Sequence, residues 1–436
     1  MIASVFGVEN IFVNNESRTP RLGGVSSKKW KKRKSKTPPI RPLVAMDSIV
    51  QPPQLPQNYS FYSFQIAGHH YSKQKDENFG KRSRKNANFP DREVRNPAIE
   101  LNQSSELRRV LLCEETGRIL KPLQKPPRGT SEVIFYENVW TDDANTSNDR
   151  RDVFHQLRNF VPKFYGVKEL TSSGMTGRFL ELENLTCAFK KPCVIDIKIG
   201  ARTWDPLAPQ DKIAYEKSKY PHAQTLGFRF LGTMVYKENT DDYEHHDKEW
   251  GKMLTENDVL PALQSYFPKE LRPCKILAAC ILRKLHKILH FFSHQRLLTF
   301  FSSSILMSYE GANLIEETDN MLTSIITTNS ENCGTKTDSN NEKFEADDLL
   351  RKFDALNCIP TASTSSLDEK EEIFYRKFDS LFSVKMIDFT HVFEHTDSDD
   401  EEEENQQSRA ALDDNYLHGL KNLIKYLTIF LDSLVL

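Results

Sequence analysis

The 436-residue sequence predicts an α+β fold, and three observations support that class. Residues 109–113 and 118–121 have the composition of two short strands, and the turn-like run Glu114–Gly117 joins them. Residues 131–140 carry apolar side chains at helical spacing, and we expect Thr130 or Ser131 to be the N-cap of this helix. Residues 272–292 predict a longer helix that is basic and amphipathic. We therefore expect a small mixed sheet with a helix in the first half of the chain, and strands mixed with helices in the second half.

The composition argues against several classes of protein. Only 38% of the residues are hydrophobic and 28% are charged, so we expect sizeable disordered parts. The formal net charge of −2 argues against a globally basic protein with specific nucleic acid contacts. The seven cysteines form no C-x-x-C pair, which fits a reducing compartment. The N-terminus lacks the order of a secretory signal, and the apolar run at 426–436 is too short for a membrane span. We expect an intracellular protein with no transmembrane segment.

Several segments have the composition of disordered chain. These are a basic N-terminal tail at 1–60, a polar insertion at 74–107, and further insertions at 312–345, 359–369 and 394–412. The tail contains a basic cluster at 28–36, which is typical of a nuclear-import address or a polyanion contact; a solvated charge run is an equal alternative. We expect the protein in the nucleus and cytoplasm. The segment at 74–107 is either a true surface insertion, which costs little closure entropy, or a misassigned exon.

The strand Pro192–Gly200 carries an acid and a base two residues apart. Side chains alternate along a strand, so the isoleucines at 195, 197 and 199 share one face, while Val194, Asp196 and Lys198 share the other. Such charges are costly to bury and useful to a ligand. A surface strand with an ordinary ion pair is the alternative interpretation.

Further along the chain, the pattern predicts strands at 163–168, 178–182 and 228–236, and helices at 211–219 and 256–266. In the helix at 211–219, the side chains of residues 212, 215, 216 and 219 fall on one face at i, i+3, i+4 and i+7. That face carries two lysines, a tyrosine and a glutamate.

The sequence resembles the inositol polyphosphate kinase family, with the greatest likeness to its multikinases. The matching landmarks occur in order along the chain. They are Ile119–Gln124, Pro126–Gly129, Leu182–Leu185, the Pro192–Gly200 signature, Ser218–Pro221, Leu226–Phe228, Ser303–Leu306 with Tyr309–Gly311, and Met386–Phe389. The chain has neither the P-loop motif nor the H-R-D catalytic loop of protein kinases.

The resemblance implies a two-lobed fold that is distantly like that of protein kinases. It places an N-lobe at 61–182, a linker at 183–185, and a C-lobe at 186–436 with an inositol phosphate helix at 207–220. It implies transfer of the ATP γ-phosphate, with Mg²⁺, to hydroxyls of inositol tris- and tetrakisphosphates. The alternatives are an inositol trisphosphate 3-kinase or inositol hexakisphosphate kinase specificity, or a low-activity nuclear scaffold or transcriptional cofactor. Inositol phosphates are the expected partners, with phosphoinositide headgroups a further candidate, and we expect a monomer.

The resemblance also assigns nucleotide-binding and catalytic roles. Lys121 would reach the ATP phosphates and pair with Glu132. The backbone at Glu183 and Leu185 would hold adenine, with Leu185 also making an apolar contact. Asp196 would accept ribose hydroxyls, and Lys198 would lie near the transferred phosphate.

Asp388 matches the family's magnesium ligand, and Ser304 would help position the metal, although simple turn capping is nearly as good an interpretation. The substrate positions match Arg128, Lys212, Lys219, Lys248, Lys252 and His391. Because Asp388 and His391 have opposite parity, a continuous strand could not direct both at one site, so we expect the strand to turn near Asp388. A structural histidine is the alternative for His391.

The chain departs from the multikinases on its substrate helix. Tyr215 and Glu216 stand where those relatives have glutamine, and Lys248 likewise replaces a glutamine. A glutamate is unfavourable in an anion site unless a neighbouring lysine offsets it. The preferred substrate therefore stays open at this point.

Overall fold

A computed structural model describes residues 55–66, 109–142, 147–172, 175–333, 375–395 and 411–434, with the side chains of 175 and 325–333 excepted. All of them belong to the compact unit Pro52–Leu436. Most of the predicted tail, the insertions at 74–107 and 359–369, and residues 396–410 lie outside the described residues, so those predictions stay predictions. No helix among the described residues is long and apolar enough to cross a membrane.

The first sheet is antiparallel and has the strand order β1-β2-β3-β5-β4. Its strands are β1 (Tyr59–Phe61), β2 (Leu111–Cys113), β3 (Ile119–Pro122), β4 (Phe164–Ser172) and β5 (Met175–Leu182). Helices α1 (Arg128–Trp140) and α2 (Asn148–Leu157) lie between β3 and β4 in the chain. The predicted strand, turn and strand at 109–121 are confirmed as β2 and β3, which bring Lys121 onto a central strand.

The second sheet is also antiparallel and has the order β11-β10-β6-β7-β8. Its strands are β6 (Pro192–Ile199), β7 (Phe228–Lys237), β8 (Asp242–His246), β10 (Ser304–Glu310) and β11 (Phe382–Ile387). A separate two-stranded ribbon joins β9 (Leu298–Phe300) to β12 (Val392–Glu394). The signature strand β6 is thus central, with neighbours on both edges.

The remaining described helices follow or surround the second sheet. They are α3 (Gln210–Lys219), α4 (Ala223–Leu226), α5 (Lys248–Met253), α6 (Val259–Tyr266), α7 (Leu271–His294), α8 (Leu314–Cys333) and α9 (Asp414–Ser433). A single 3₁₀ turn at Glu256–Asp258 leads into α6. The helices predicted at 211–219, 256–266 and 272–292 are therefore confirmed, and α3 occupies most of the 207–220 segment.

Burial on β6 rules out the surface-strand interpretation. The three isoleucines predicted to share a face are fully buried, but Asp196 on the opposite face is also only 4% exposed. Side chains on both faces of the strand are therefore covered, and its two edges are paired with β10 and β7. The strand therefore holds a carboxylate at a cost that ordinary packing would not require.

The main core forms where α7 crosses α9. Helix α7 buries Leu277, Ile281, Leu285, Ile288 and Phe292 at helical spacing along one side. Phe292 stacks on Tyr416 of α9, with ring centroids 4.0 Å apart. The apolar stripe read from the sequence is the face that makes this contact.

The start of α9 fixes the loop that leaves β6. Asn415 accepts a hydrogen bond from the Arg202 backbone amide at 2.7 Å and donates one to the Arg202 carbonyl at 3.0 Å. The Asp413 side chain caps α9 by accepting from the Tyr416 amide, and it also accepts from the Phe300 amide. The last described helix therefore sets the path of the chain towards α3.

Three predictions about local structure were wrong. Neither Thr130 nor Ser131 caps α1, because the helix already begins at Arg128 after Pro127. The segment 312–345 is not an irregular insertion throughout: α8 occupies residues 314–333, with Leu314, Thr318 and Leu322 buried at i, i+4 and i+8. Strands β1 and β12 overlap the ends of segments predicted to be disordered, since both find pairing partners far away in the sequence.

Gly419 allows α9 to approach the turn at Gly227 closely. A Cβ at residue 419 would lie 2.0 Å from the Gly227 carbonyl oxygen, which belongs to the backbone and cannot rotate away. We expect Gly419→Ala to lower the free energy of unfolding by about 1–3 kcal/mol, although alanine is the better helix former by about 1 kcal/mol. Thermal unfolding measures the change. Lys421→Ala, at an exposed position of the same helix, is the control, and an equal effect of both variants would contradict the close approach.

Candidate active site

Lys121 lies between two carboxylates from distant parts of the chain. Its Nζ is 2.6 Å from Glu132 Oε1 on α1 and 2.5 Å from Asp388 Oδ1 after β11. Glu132 is fully buried and also accepts a hydrogen bond from the Phe389 amide at 3.1 Å. The two carboxylates raise the pKa of Lys121 far above its usual value despite burial, so the ammonium stays charged. The predicted pairing of Lys121 with Glu132 is confirmed.

The chain turns sharply at Asp388, as the parity argument predicted. Strand β11 ends at Ile387, and Asp388 has a φ of +66°, in the left-handed region that a non-glycine residue rarely adopts. The next residue, Phe389, is buried and stacks on Phe135 of α1 at 4.1 Å. This packing holds the turn, so the Asp388 carboxylate is directed at Lys121 while its side chain stays 40% exposed.

Asp196 and Lys198 lie on the same face of β6, within electrostatic reach of Asp388. Burial raises the pKa of Asp196 to about 7, and the charge of Asp388 acts in the same direction. Burial lowers the pKa of Lys198, while Asp388 and Asp196 oppose that change. The Lys198 ammonium donates a hydrogen bond to the Ser302 carbonyl at 3.0 Å. Two carboxylates and two lysines therefore share one electrostatically coupled region.

Ser304 lies next to this region by register. On β10 it is paired with Lys198 of β6 on one side and with Ile387 of β11 on the other. Its side chain is fully buried, and its hydroxyl lowers the pKa of Asp196. The neighbouring Ser302 adopts φ +61° and donates its hydroxyl to the Thr203 carbonyl at 2.8 Å. The serine run is thus the point at which β10 joins the lysine strand and the loop before α3.

A single buried carboxylate, Asp205, joins two residues of the predicted acceptor site. Its Oδ2 is 3.1 Å from Lys212 Nζ on α3 and 3.1 Å from His391 Nδ1 after the Asp388 turn. Asp205 is 7% exposed. The sequence analysis missed this residue, because Asp followed by Pro206 predicts only a turn and no local pattern indicates a partner 186 positions away.

Lys219 has a carboxylate partner on its own helix. It pairs with Glu216 one turn earlier, and the other Glu216 oxygen accepts a hydrogen bond from the Thr203 hydroxyl at 3.1 Å. Lys219 therefore offsets the glutamate that departs from the family pattern. Tyr215 is 62% exposed, and its ring lies 4.4 Å from the Lys219 ammonium.

The structure brings the other predicted acceptor residues together only in part. Arg128 is exposed at the first position of α1, and its charge lowers the pKa of His391. Lys252 pairs with Glu249 on α5 at 2.8 Å, and Lys248 is exposed at the start of that helix. Lys252 therefore makes a local ion pair on its own helix, and its contact with substrate phosphates stays a prediction.

The segment predicted as a linker between lobes is held by side chains. The Glu183 carboxylate accepts a hydrogen bond from the Lys163 amide at 3.0 Å, while the Glu183 amide donates to the Lys163 carbonyl. The Leu185 carbonyl accepts from the Ser308 hydroxyl at 3.5 Å. Glu183 and Leu185 thus lie directly after β5 and before the signature strand, and their contact with adenine stays a prediction.

The donor set fits a divalent cation shared with phosphates. Lys121 lowers the pKa of Asp388, so this carboxylate is ionised at neutral pH. Asp196 Oδ1 and the Ser304 hydroxyl oxygen are buried and have no hydrogen-bond partner of good geometry among the described residues. The described residues hold no cluster of three or more His, Cys, Asp or Glu side chains that could bind a metal alone. Mg²⁺ commonly binds through one or two carboxylates together with substrate phosphates, so Asp388 is the residue that would hold it, with Ser304 beside it.

Comparisons with known proteins identify the family of this chain. The family model described as inositol polyphosphate kinase matches residues 179–428, which is more than half of the chain. The chain therefore belongs to the inositol polyphosphate kinase family.

Two curated relatives carry the same name. The inositol polyphosphate multikinase of Rattus norvegicus is 29% identical over 74% of this chain and 88% of that protein. The multikinase of Homo sapiens is 36% identical, and that match spans 47% of each protein, so the chain covers about half of the human relative. A crystal structure of the multikinase Ipk2 from S. cerevisiae, in complex with ADP and Mn²⁺, matches 72% of this chain and 99% of that one at 20% identity, with a TM-score of 0.44.

Because the pKa of Asp196 is raised in the folded protein, the free energy of unfolding should depend on pH. An acid with a folded-state pKa of about 7, against an ordinary value of 3.8, destabilises the fold increasingly as the pH rises between these two values. We expect Asp196→Asn to unfold at a higher temperature than the parent, with an advantage that grows by about 2 kcal/mol between pH 5.5 and pH 8. Thermal unfolding at both pH values tests this. Exposed Asp432→Asn is the control, and a pH-independent advantage for Asp196→Asn would show that the carboxyl does not titrate in this range.

Proposed function

We propose that this protein is an ATP-dependent inositol phosphate kinase of the multikinase type. It would transfer the γ-phosphate of ATP to hydroxyls of inositol tris- and tetrakisphosphates. The observation that carries the proposal is the convergence of Lys121, Asp388 and Lys198, from three distant segments, on one region beside the Lys212–Asp205–His391 cluster. The names of the rat and human relatives support the multikinase type.

The chemistry is mostly positioning and neutralisation of charge, because phosphoryl transfer requires little covalent help from the protein. Lys121, held charged by its two carboxylates, is suited to the nucleotide phosphates. Lys198, on a buried strand, is suited to the charge that develops on the transferred group. Mg²⁺ at Asp388 would neutralise and bridge phosphate oxygens.

The acceptor side uses hydrogen-bond donors that are already oriented. Lys212 and His391 meet on Asp205, and an acceptor phosphate would find two hydrogen-bond donors at fixed positions. Pre-orientation matters because each ordered long side chain costs entropy on binding. Of the alternatives, a trisphosphate 3-kinase and a hexakisphosphate kinase differ from the proposal only in which acceptors are converted, and a scaffold would convert none.

The test is incubation of the purified protein with ATP, Mg²⁺ and inositol 1,4,5-trisphosphate, followed by chromatography of the products. We expect tetrakis- and pentakisphosphates from the parent. Lys198→Ala should lower kcat on the order of 10²-fold or more, because it removes a cation from the transferred group. Exposed Lys421→Ala should retain full activity.

Two outcomes would contradict the proposal. A folded Lys198→Ala protein with the kcat of the parent would contradict the role of Lys198 at the transferred phosphate. No conversion by a parent protein that still gains thermal stability from ATP and Mg²⁺ would favour the scaffold, since a ligand that binds only the folded state must stabilise it. A single product would point to a narrower acceptor range.

Asp205 supplies a separate prediction about the acceptor. Asp205→Asn removes the charge that holds Lys212 and His391 together, so we expect the KM for the inositol phosphate to rise by about tenfold, with the KM for ATP unchanged. Burial lowers the pKa of His391 and the charge of Asp205 opposes that change, so Asp205→Asn should lower this pKa further. As the pH rises, acceptor binding should therefore weaken at a lower pH in the variant than in the parent. Steady-state kinetics across pH measure both effects.

Asp142→Asn is a matched control for this variant. Asp142 also pairs with a histidine and a second cation, His155 and Arg158, but lies on the surface away from the cluster. We expect it to leave both KM values unchanged. An equal rise in the KM for ATP and for the acceptor in Asp205→Asn would show a general structural role instead.

A further inference from the structure

A cavity of about 490 Å³ opens beside Lys198 and beneath α3. Neither Lys212, His391 nor Asp388 lines it, so it extends the site away from the Asp205 cluster. Its charged lining residues are four cations and one acid, namely Lys198, Arg202, Lys217, Arg229 and Glu216. The excess of positive charge indicates a pocket that binds an anion, and the Glu216 carboxylate already supplies one negative charge inside it.

Two of these cations are directly opposite each other across neighbouring strands. Lys198 of β6 and Arg229 of β7 are partners in the register, and like charges at such positions are destabilising. The Arg229 Nε is buried and makes no hydrogen bond to any described residue, although its guanidinium lies 5.7 Å from the Tyr220 ring. The pair therefore requires an anion close by.

Glu216 is that anion. Its side chain is 19% exposed and is fixed by Lys219 and by the Thr203 hydroxyl. Burial lowers the pKa of both Lys198 and Arg229, and the charge of Glu216 opposes that change in each, so Glu216 lies within electrostatic reach of both cations. Lys219 lowers the pKa of Glu216 itself, so the carboxylate is ionised at neutral pH.

We propose that Glu216 determines acceptor specificity by occupying, as an internal counter-ion, a position that a phosphate group of a more highly phosphorylated inositol would otherwise take. The proposal rests on the proposed function and concerns the same site. A carboxylate accepts a hydrogen bond from a hydroxyl but repels a phosphate. Acceptors with a hydroxyl at this position are preferred over acceptors with a phosphate there.

The test compares the parent with Glu216→Gln, which keeps the size of the side chain and removes its charge. The value of kcat/KM is measured for inositol 1,4,5-trisphosphate and for an inositol tetrakisphosphate, and binding of inositol hexakisphosphate is measured by calorimetry. We expect the tetrakisphosphate-to-trisphosphate ratio to rise by about tenfold or more, and hexakisphosphate to bind correspondingly tighter. Exposed Glu169→Gln on β4 is matched in charge change and should behave like the parent.

A second variant separates charge from packing. Glu216→Asp keeps the carboxylate, so it should retain the preference of the parent even if it loses some stability. An unchanged ratio in a folded Glu216→Gln protein would overturn the proposal. So would equal tightening of hexakisphosphate and inorganic phosphate, because that result would reflect general electrostatics rather than selection.

The two proposals fail in different ways. A parent protein that binds ATP but converts no inositol phosphate contradicts the proposed function, while hexakisphosphate binding still measures the effect of Glu216. An active parent whose Glu216→Gln variant keeps the same ratio contradicts the specificity role alone.

Discussion

The ammonium of Lys121 is the contact on which the rest of the site depends. Glu132 and Asp388 both lie within hydrogen-bond distance of it, so one cation connects the first sheet, helix α1 and the turn after β11. Glu132 also accepts the Phe389 amide, which ties the same helix to the backbone of that turn. A buried ion pair contributes to stability only when its remaining hydrogen bonds are satisfied, so the arrangement serves geometry more than stability. It places the Asp388 carboxylate where a cation and phosphates can reach it.

The acceptor side follows the same rule, because its basic side chains are paired with carboxylates of the protein itself. Asp205 holds Lys212 and His391, while Glu216 holds Lys219 and offsets the opposed Lys198 and Arg229. Without such partners, a cluster of cations in a half-buried pocket would repel itself and destabilise the fold. The choice of internal carboxylate therefore matters for binding as well, since an incoming phosphate must either displace it or avoid it.

The sequence predicted the elements and motifs well, and the long-range pairings poorly. The signature strand, α3 and α7 follow from local patterns of period 2 and 3.6, which act over a few residues. The break at Asp388 followed from strand parity together with the site roles that the family resemblance gave to Asp388 and His391. The bridge by Asp205 joins residues 212 and 391, which only the tertiary fold brings together. Helix α8 was missed because its polar composition resembles a loop, and contact with α7 stabilises it. The roles of Lys121, Lys198 and Asp388 came from family resemblance, which no periodicity could supply.

Asp196 shows why a site of this kind is kept at a cost to the fold. Its carboxylate is buried on one face of a central strand; burial raises its pKa to about 7, and the like charge of Asp388 acts in the same direction. A neutral side chain of the same shape would fit the strand without the free-energy cost of burying a charge. The buried Asp196 carboxylate is therefore useful only when a ligand binds that donates hydrogen bonds to it or brings a positive charge near it, such as sugar hydroxyls or a cation. The carboxylate loses its water when the protein folds, so a ligand that binds it gains the interaction without a further cost of desolvation. The strand is therefore organised for a ligand before the ligand arrives.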